Sequence, residues 1–89
     1  MRTNLRYNLT KETIFGKNAA WTFEPHTKDR ESNLICLYIS IEETGELILI
    51  GRIWEKSANF CEVSVAGKYE IYSYDSLENA KKFLTKFVV

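Results

Sequence analysis

The stretch NLICLYISIEETGELILIGRIWE, Asn33 to Glu55, decides the fold. Two runs rich in β-branched and aliphatic residues flank Glu43-Thr44-Gly45. A glycine closing a short polar break marks a hairpin, because it takes the left-handed conformation that costs other residues energy. A three-residue loop sets Ile41 against Leu47, Ile39 against Leu49, Leu37 against Gly51 and Ile35 against Ile53 on one face. The other face pairs Ser40 with Ile48, Tyr38 with Ile50, Cys36 with Arg52 and Leu34 with Trp54. A one-residue slip would mix the two sets, so the pattern selects this register.

The next hairpin turns through EKSAN, Glu55 to Asn59. Setting Trp54 opposite Phe60 makes Arg52 face Glu62 and Ile53 face Cys61, an aromatic pair and an ion pair worth roughly 0.2–1 kcal/mol each. A turn at Ala66-Gly67-Lys68 leads into YEIYSY, Tyr69 to Tyr74. A three-residue loop there puts Tyr69 and Ile71 on the first face; a two-residue loop puts Tyr72 and Tyr74 there. The former is preferred because it keeps Glu70 out of the core.

A helix closes the chain. Asp75 is the expected cap, with Glu78 three residues on completing a capping box. Leu77, Ala80, Phe83, Leu84, Phe87 and Val88 form an apolar stripe at helical spacing over about fourteen residues. Lys81, Lys82 and Lys86 lie off that stripe, where they suit the negative end of the helix dipole. In the N-terminal third, Leu5, Tyr7 and Leu9 alternate, as do Ala19, Trp21 and Phe23, around a turn near Gly16. Two more strands are expected, with a helical turn over Thr10 to Phe15 as the alternative. Pro25 to Ser32, PHTKDRES, is the long loop candidate.

The fold class is therefore α+β: an antiparallel meander sheet of four to six strands packed on one C-terminal α-helix. At 89 residues and 45% hydrophobic, the chain is expected to be a single domain, 1–89, near the lower limit for an unstapled core. Its opening, MRTNLRYNLT, lacks the apolar core of a signal peptide, and no aliphatic run is long enough to span a bilayer. A cytoplasmic protein without membrane association is the expectation.

One helix covers one side of such a sheet. The face carrying Ile35, Leu37, Ile39, Leu49, Ile53, Val63 and Val65 is uncharged and should receive it. The reverse face carries Tyr38, Ile48, Ile50, Trp54 and Phe60, interleaved with Glu46, Arg52 and Glu62. Three covers are open: the N-terminal segment folding over and burying Trp21 and Phe23, a second copy of the chain, or a different partner. Cover by the chain itself is the plainest. Large apolar patches left exposed usually mark interaction sites.

Catalytic and cofactor chemistry finds no footing. His26 is the one histidine and falls in the loop candidate; Cys36 and Cys61 lack CxxC spacing and read as buried thiols. The four glycines form no phosphate loop, and the Glu42-Glu43 pair belongs to a solvated turn. No metal, cofactor or enzymatic role is expected. Twelve basic and twelve acidic residues cancel, which argues against a general nucleic-acid binder. The middle is acidic: residues 34–78 hold three basic and eight acidic residues, 3 − 8 = −5. This layout suggests a non-enzymatic protein-binding module using Tyr38, Glu46, Ile50, Arg52, Trp54, Phe60 and Glu62. Such a surface would suit a phage- or mobile-element-encoded inhibitor docking on a nucleic-acid-processing host complex, an anti-CRISPR-like role. The alternative is a single-stranded nucleic-acid binder stacking bases on the sheet aromatics, and homodimerisation is compatible with either.

Overall fold

The computed structural model describes residues 8–27 and 32–88. Six strands form one antiparallel sheet in chain order, followed by a helix: β1 (Asn8–Ile14), β2 (Lys17–Thr27), β3 (Ser32–Ser40), β4 (Leu47–Ser57), β5 (Phe60–Val65), β6 (Ile71–Tyr74) and α1 (Leu77–Thr85). The expected α+β meander is what forms. No helix among the described residues is long and apolar enough to cross a membrane.

The N-terminal strands extend the sheet and do not fold over it. β1 and β2 turn through Phe15-Gly16, with φ of 51° and 79°, and Thr10 to Ile14 is strand rather than a helical turn. β2 then pairs with β3, setting Trp21 opposite Leu37 and Phe23 opposite Ile35. Directly opposed residues of an antiparallel pair share a face, so Trp21 and Phe23 join the helix-side core rather than capping the reverse side. The Trp21 indole N–H donates to the Glu12 carboxylate, and the Lys81 ammonium stands 5.0 Å from the ring centroid. Part of the loop candidate is strand instead: β2 runs to Thr27 through an irregularity between Glu24 and Thr27, where Pro25 has no N–H to give to a ladder, and β3 begins at Ser32. His26 is thus a strand position; Leu5, Tyr7 and Lys28 to Glu31 lie outside the described residues.

The central hairpin keeps the expected register from Leu34–Trp54 to Leu37–Gly51 and then changes it. Beyond a bulge, Tyr38 opposes Leu49, Ile39 opposes Ile48 and Ser40 opposes Leu47, leaving Ile50 as the extra residue. The turn correspondingly has four residues rather than three: Ile41 N–H donates to the Glu46 carbonyl at 2.9 Å and Gly45 N–H to the Ile41 carbonyl at 2.7 Å. Because side chains alternate with period two, the bulge exchanges faces at the strand's start. Leu47 and Leu49 take the reverse face, Ile48 moves to the face of Ile39, and Ile50 packs against the core cluster.

The β4–β5 register is two residues from the expected one: Ile53 opposes Val63, Trp54 opposes Glu62 and Arg52 opposes Ser64. β4 continues to Ser57 and turns through Ala58-Asn59, so a longer ladder and a fully buried Ile53–Val63 pair outweigh the two modest pairs forgone. A shift of two preserves faces. At the β5–β6 hairpin the less favoured reading is correct as to faces: Val63 opposes Tyr72 and Cys61 opposes Tyr74. Tyr72 and Tyr74 reach Phe83 of the helix with ring centroids at 4.7 and 5.2 Å, while Ile71 is exposed. Two tyrosine rings stacking on the helix contribute more than the one isoleucine left outside.

The helix is capped by Ser76, not Asp75: its hydroxyl accepts from Asn79 N–H at 3.1 Å, and Asp75 instead accepts from the Asn79 side chain at 3.0 Å. At nine residues the helix is shorter than expected and too short to persist alone. What holds it is its buried stripe. Ala80 and Leu84 in the helix, and Val88 just beyond it, are fully enclosed, and burial of a large aliphatic side chain contributes about 1.5–3 kcal/mol. It lies over β4, β5 and β6, and Gly51 on β4 makes the approach possible. A Cβ there would stand 2.5 Å from a Leu84 methyl and 2.6 Å from the Ser64 carbonyl oxygen.

Candidate functional site

With the helix on one side and β1 and β2 in the sheet plane, no described element packs on the reverse face. The strand registers lay that face out in rows. One runs Leu9, Thr22, Cys36, Arg52, Ser64, Ile71 from β1 to β6. The next runs Glu24, Leu34, Trp54, Glu62, Ser73 from β2 to β6. A third holds Lys11, Ala20, Tyr38 and Leu49. Exposed apolar side chains sit at its margins: Leu9 at 52%, Leu47 at 54%, Phe60 at 41% and Ile71 at 56%. Leu34, Tyr38 and Trp54, in the middle, are half-buried. Between margin and middle lies a groove of about 460 Å³, walled by Leu9, Leu34, Cys36, Tyr38 and Leu47, with Arg52 at its side.

Of the residues expected to make contact, Tyr38, Arg52, Trp54, Phe60 and Glu62 come together on this face. Ile50 does not: the bulge turns it to the core. Glu46 lies off the face, in the exposed turn after Glu42, Glu43 and Thr44. Leu9, Leu47 and Ile71 belong to the surface and were not expected there, while Leu34 stands on it opposite Trp54 as expected. The period-two pattern of β1 pointed to Leu9, and Gly51 inside a strand was the signal for the bulge that moves Leu47.

The face is nearly neutral. Lys11 and Arg52 stand against Glu24 and Glu62, and the Lys56 ammonium lies 3.5 Å from the Glu62 carboxylate. The acidity of the chain's middle is elsewhere. Glu42, Glu43 and Glu46 occupy the β3–β4 turn, where Glu42 accepts from the Asn18 amide at 2.9 Å, and Glu55 accepts from Asn33 at 3.0 Å.

The thiols are separated by the sheet, Cys36 on the reverse face and Cys61 on the helix side, and both are free. Burial pushes the Cys36 thiol above its ordinary value, against partial lowering by the Thr22 hydroxyl and Arg52. Burial pushes Cys61 up as well, and the Glu55 carboxylate adds to it. Neither is a poised nucleophile, since reactivity needs the thiolate. Among the described residues, no group of three or more His, Cys, Asp or Glu side chains could hold a metal ion.

In comparison with known proteins, the chain matches no family model, no curated protein and no solved structure.

Proposed function

We propose that this chain is a non-enzymatic protein-binding module that docks through the reverse face of its sheet. The observation that carries this reading is a sheet face on which no described element packs, with four exposed apolar residues, Leu9, Leu47, Phe60 and Ile71, at its margins. Apolar burial scales at about 25 cal/mol per Å², so a rigid face of this composition supplies affinity without ordering a loop first. An inhibitory role toward a nucleic-acid-processing complex would draw its electrostatic part from Glu42, Glu43 and Glu46 at the sheet's end, not from the face itself. Base stacking on Tyr38, Trp54 and Phe60 is the weaker reading, because Glu24 and Glu62 stand on the same surface and repel phosphate.

Affinity capture on the immobilised chain, with a variant carrying Leu47→Lys and Phe60→Ser, tests docking. Both positions are exposed, so the variant keeps its circular dichroism spectrum while proteins held by the wild type are released. Retention of the same proteins at the same strength by the folded variant refutes the reading. Binding of short oligonucleotides that weakens steeply with salt would replace it with the nucleic-acid one.

A further inference from the structure

We propose that β1 is an exchangeable arm: two copies of the chain pair by trading this strand, each β1 completing the ladder of the other copy's β2. The inference stands apart from the docking reading, because every contact it uses is one the closed chain already makes. The hinge is the first argument. β1 and β2 are joined by two residues, Phe15 and Gly16, both at positive φ. A turn of this kind favours Asn-Gly or Gly-Gly, since the left-handed region crowds the Cβ of a bulky residue. Phe15 is the one non-glycine residue with positive φ among those described; Gly45 and Gly67 take such angles in the other turns. Nothing nearby offsets the strain. The Phe15 side chain is 72% exposed, and a Cβ on Gly16 would meet no atom within 4 Å. Extending the hinge frees Phe15 from this conformation, and a short strained loop is what favours exchange between copies.

The arm is the second argument. β1 pairs with β2 alone, from Asn8–Phe23 to Ile14–Lys17, so a single ladder must open to release it. The opposite edge is held differently: Tyr72 and Tyr74 tie β6 to Phe83 of the helix. What β1 leaves behind is specific. Without Glu12 the Trp21 indole N–H loses its acceptor, and without Ile14 the core cluster loses a buried member. An unpartnered donor and an opened core are both costly, so a vacated β2 selects the strand that fitted it. The β1 of a second copy restores each of these contacts in the same register. The exchanged pair relaxes two hinges and gives up the freedom of one molecule relative to the other. That balance depends on concentration. The closed form prevails in dilute solution, and the exchanged form gains after refolding at high concentration.

Refolding the full chain from denaturant at micromolar and at millimolar concentration, with light scattering on the size-exclusion peaks, tests the exchange. The expected result is a species of twice the 10.4 kDa of one copy that grows with refolding concentration and reverts slowly on dilution. In dimers refolded from isotope-labelled and unlabelled chains, nuclear Overhauser contacts between Lys11 and Ala20, opposed across the β1–β2 ladder, should run between copies. Phe15→Asn suits the closed turn and should weaken dimerisation about tenfold, since the substitution counts in both hinges. Tyr69→Lys, at a fully exposed position in the β5–β6 loop, should leave it unchanged. A single-copy mass after refolding at either concentration overturns the proposal. So does a dimer whose Lys11–Ala20 contacts lie within one copy, or one that Phe15→Asn leaves undiminished.

Discussion

Replacing Gly51 with alanine tests the packing of the whole molecule. By backbone propensity alone the change should help, because glycine inside a strand is worse than alanine by roughly 0.5–1 kcal/mol. The structure reverses the sign. The added carbon would stand 2.5 Å from a Leu84 methyl, which can swing aside, and 2.6 Å from the Ser64 carbonyl oxygen, which belongs to the β5 backbone. Overpacking of a closed core costs about 1–3 kcal/mol. Setting the midpoint of the propensity gain against the midpoint of that cost leaves a loss of about 1 kcal/mol, a fall in Tm of about 4–8 °C for a domain of this size. Urea unfolding followed through Trp21 and Trp54 reads it as a lower midpoint at unchanged slope. Leu84→Ala identifies the neighbour: it should cost about 2–5 kcal/mol alone, and less than that when added to Gly51→Ala, because one of the two clashes is gone. A neutral or stabilising Gly51→Ala would refute the account of how the helix is seated.

The other perturbations act at the ends of elements. Ser76→Ala removes the hydroxyl that accepts from Asn79 and should cost about 0.5–2 kcal/mol in thermal or urea unfolding, more than Asp75→Ala; the opposite order would return the cap to Asp75. Phe15 holds a φ of 51° at an exposed hairpin tip, where a left-handed non-glycine residue costs about 1–2 kcal/mol. Phe15→Asn, a residue that tolerates this conformation ahead of Gly16, should raise stability by about 0.5–1 kcal/mol; a lower Tm would mean that the ring makes a contact its exposure denies.

What the sequence made legible was set by periodicity. Alternation along Ile35–Ile41 and the stripe from Leu77 to Val88 specified two layers, because each pattern suits only one element type. Register was harder, since it depends on where ladders begin. The Trp54–Phe60 and Arg52–Glu62 pairs looked decisive side by side, yet each is worth less than a longer ladder over buried Ile53 and Val63. The bulge at Ile50 was invisible in the apolar run from Leu47 to Ile50, where every residue suits either face. Its trace was Gly51, which looked incidental until the helix stood above it. The cap slipped by one residue because Asp75 and Ser76 are both good caps, and the backbone after Tyr74 decided between them. On the reverse face, Trp54, Phe60, Arg52, Glu62 and Tyr38 were legible because a shift of two leaves a face unchanged. Ile50 was lost because a shift of one does not.

The helix rests on β4, β5 and β6, whereas β1 meets the rest of the sheet through β2 alone. Cohesion in this molecule is therefore graded along the chain and not shared out evenly. Amides of β4 and β5, each strand paired on both sides and backed by the helix, are expected to exchange with solvent only in larger openings of the fold. Those of β1 are released by breaking one ladder, so the sheet frays from its first strand inward, like cloth with a single unhemmed side.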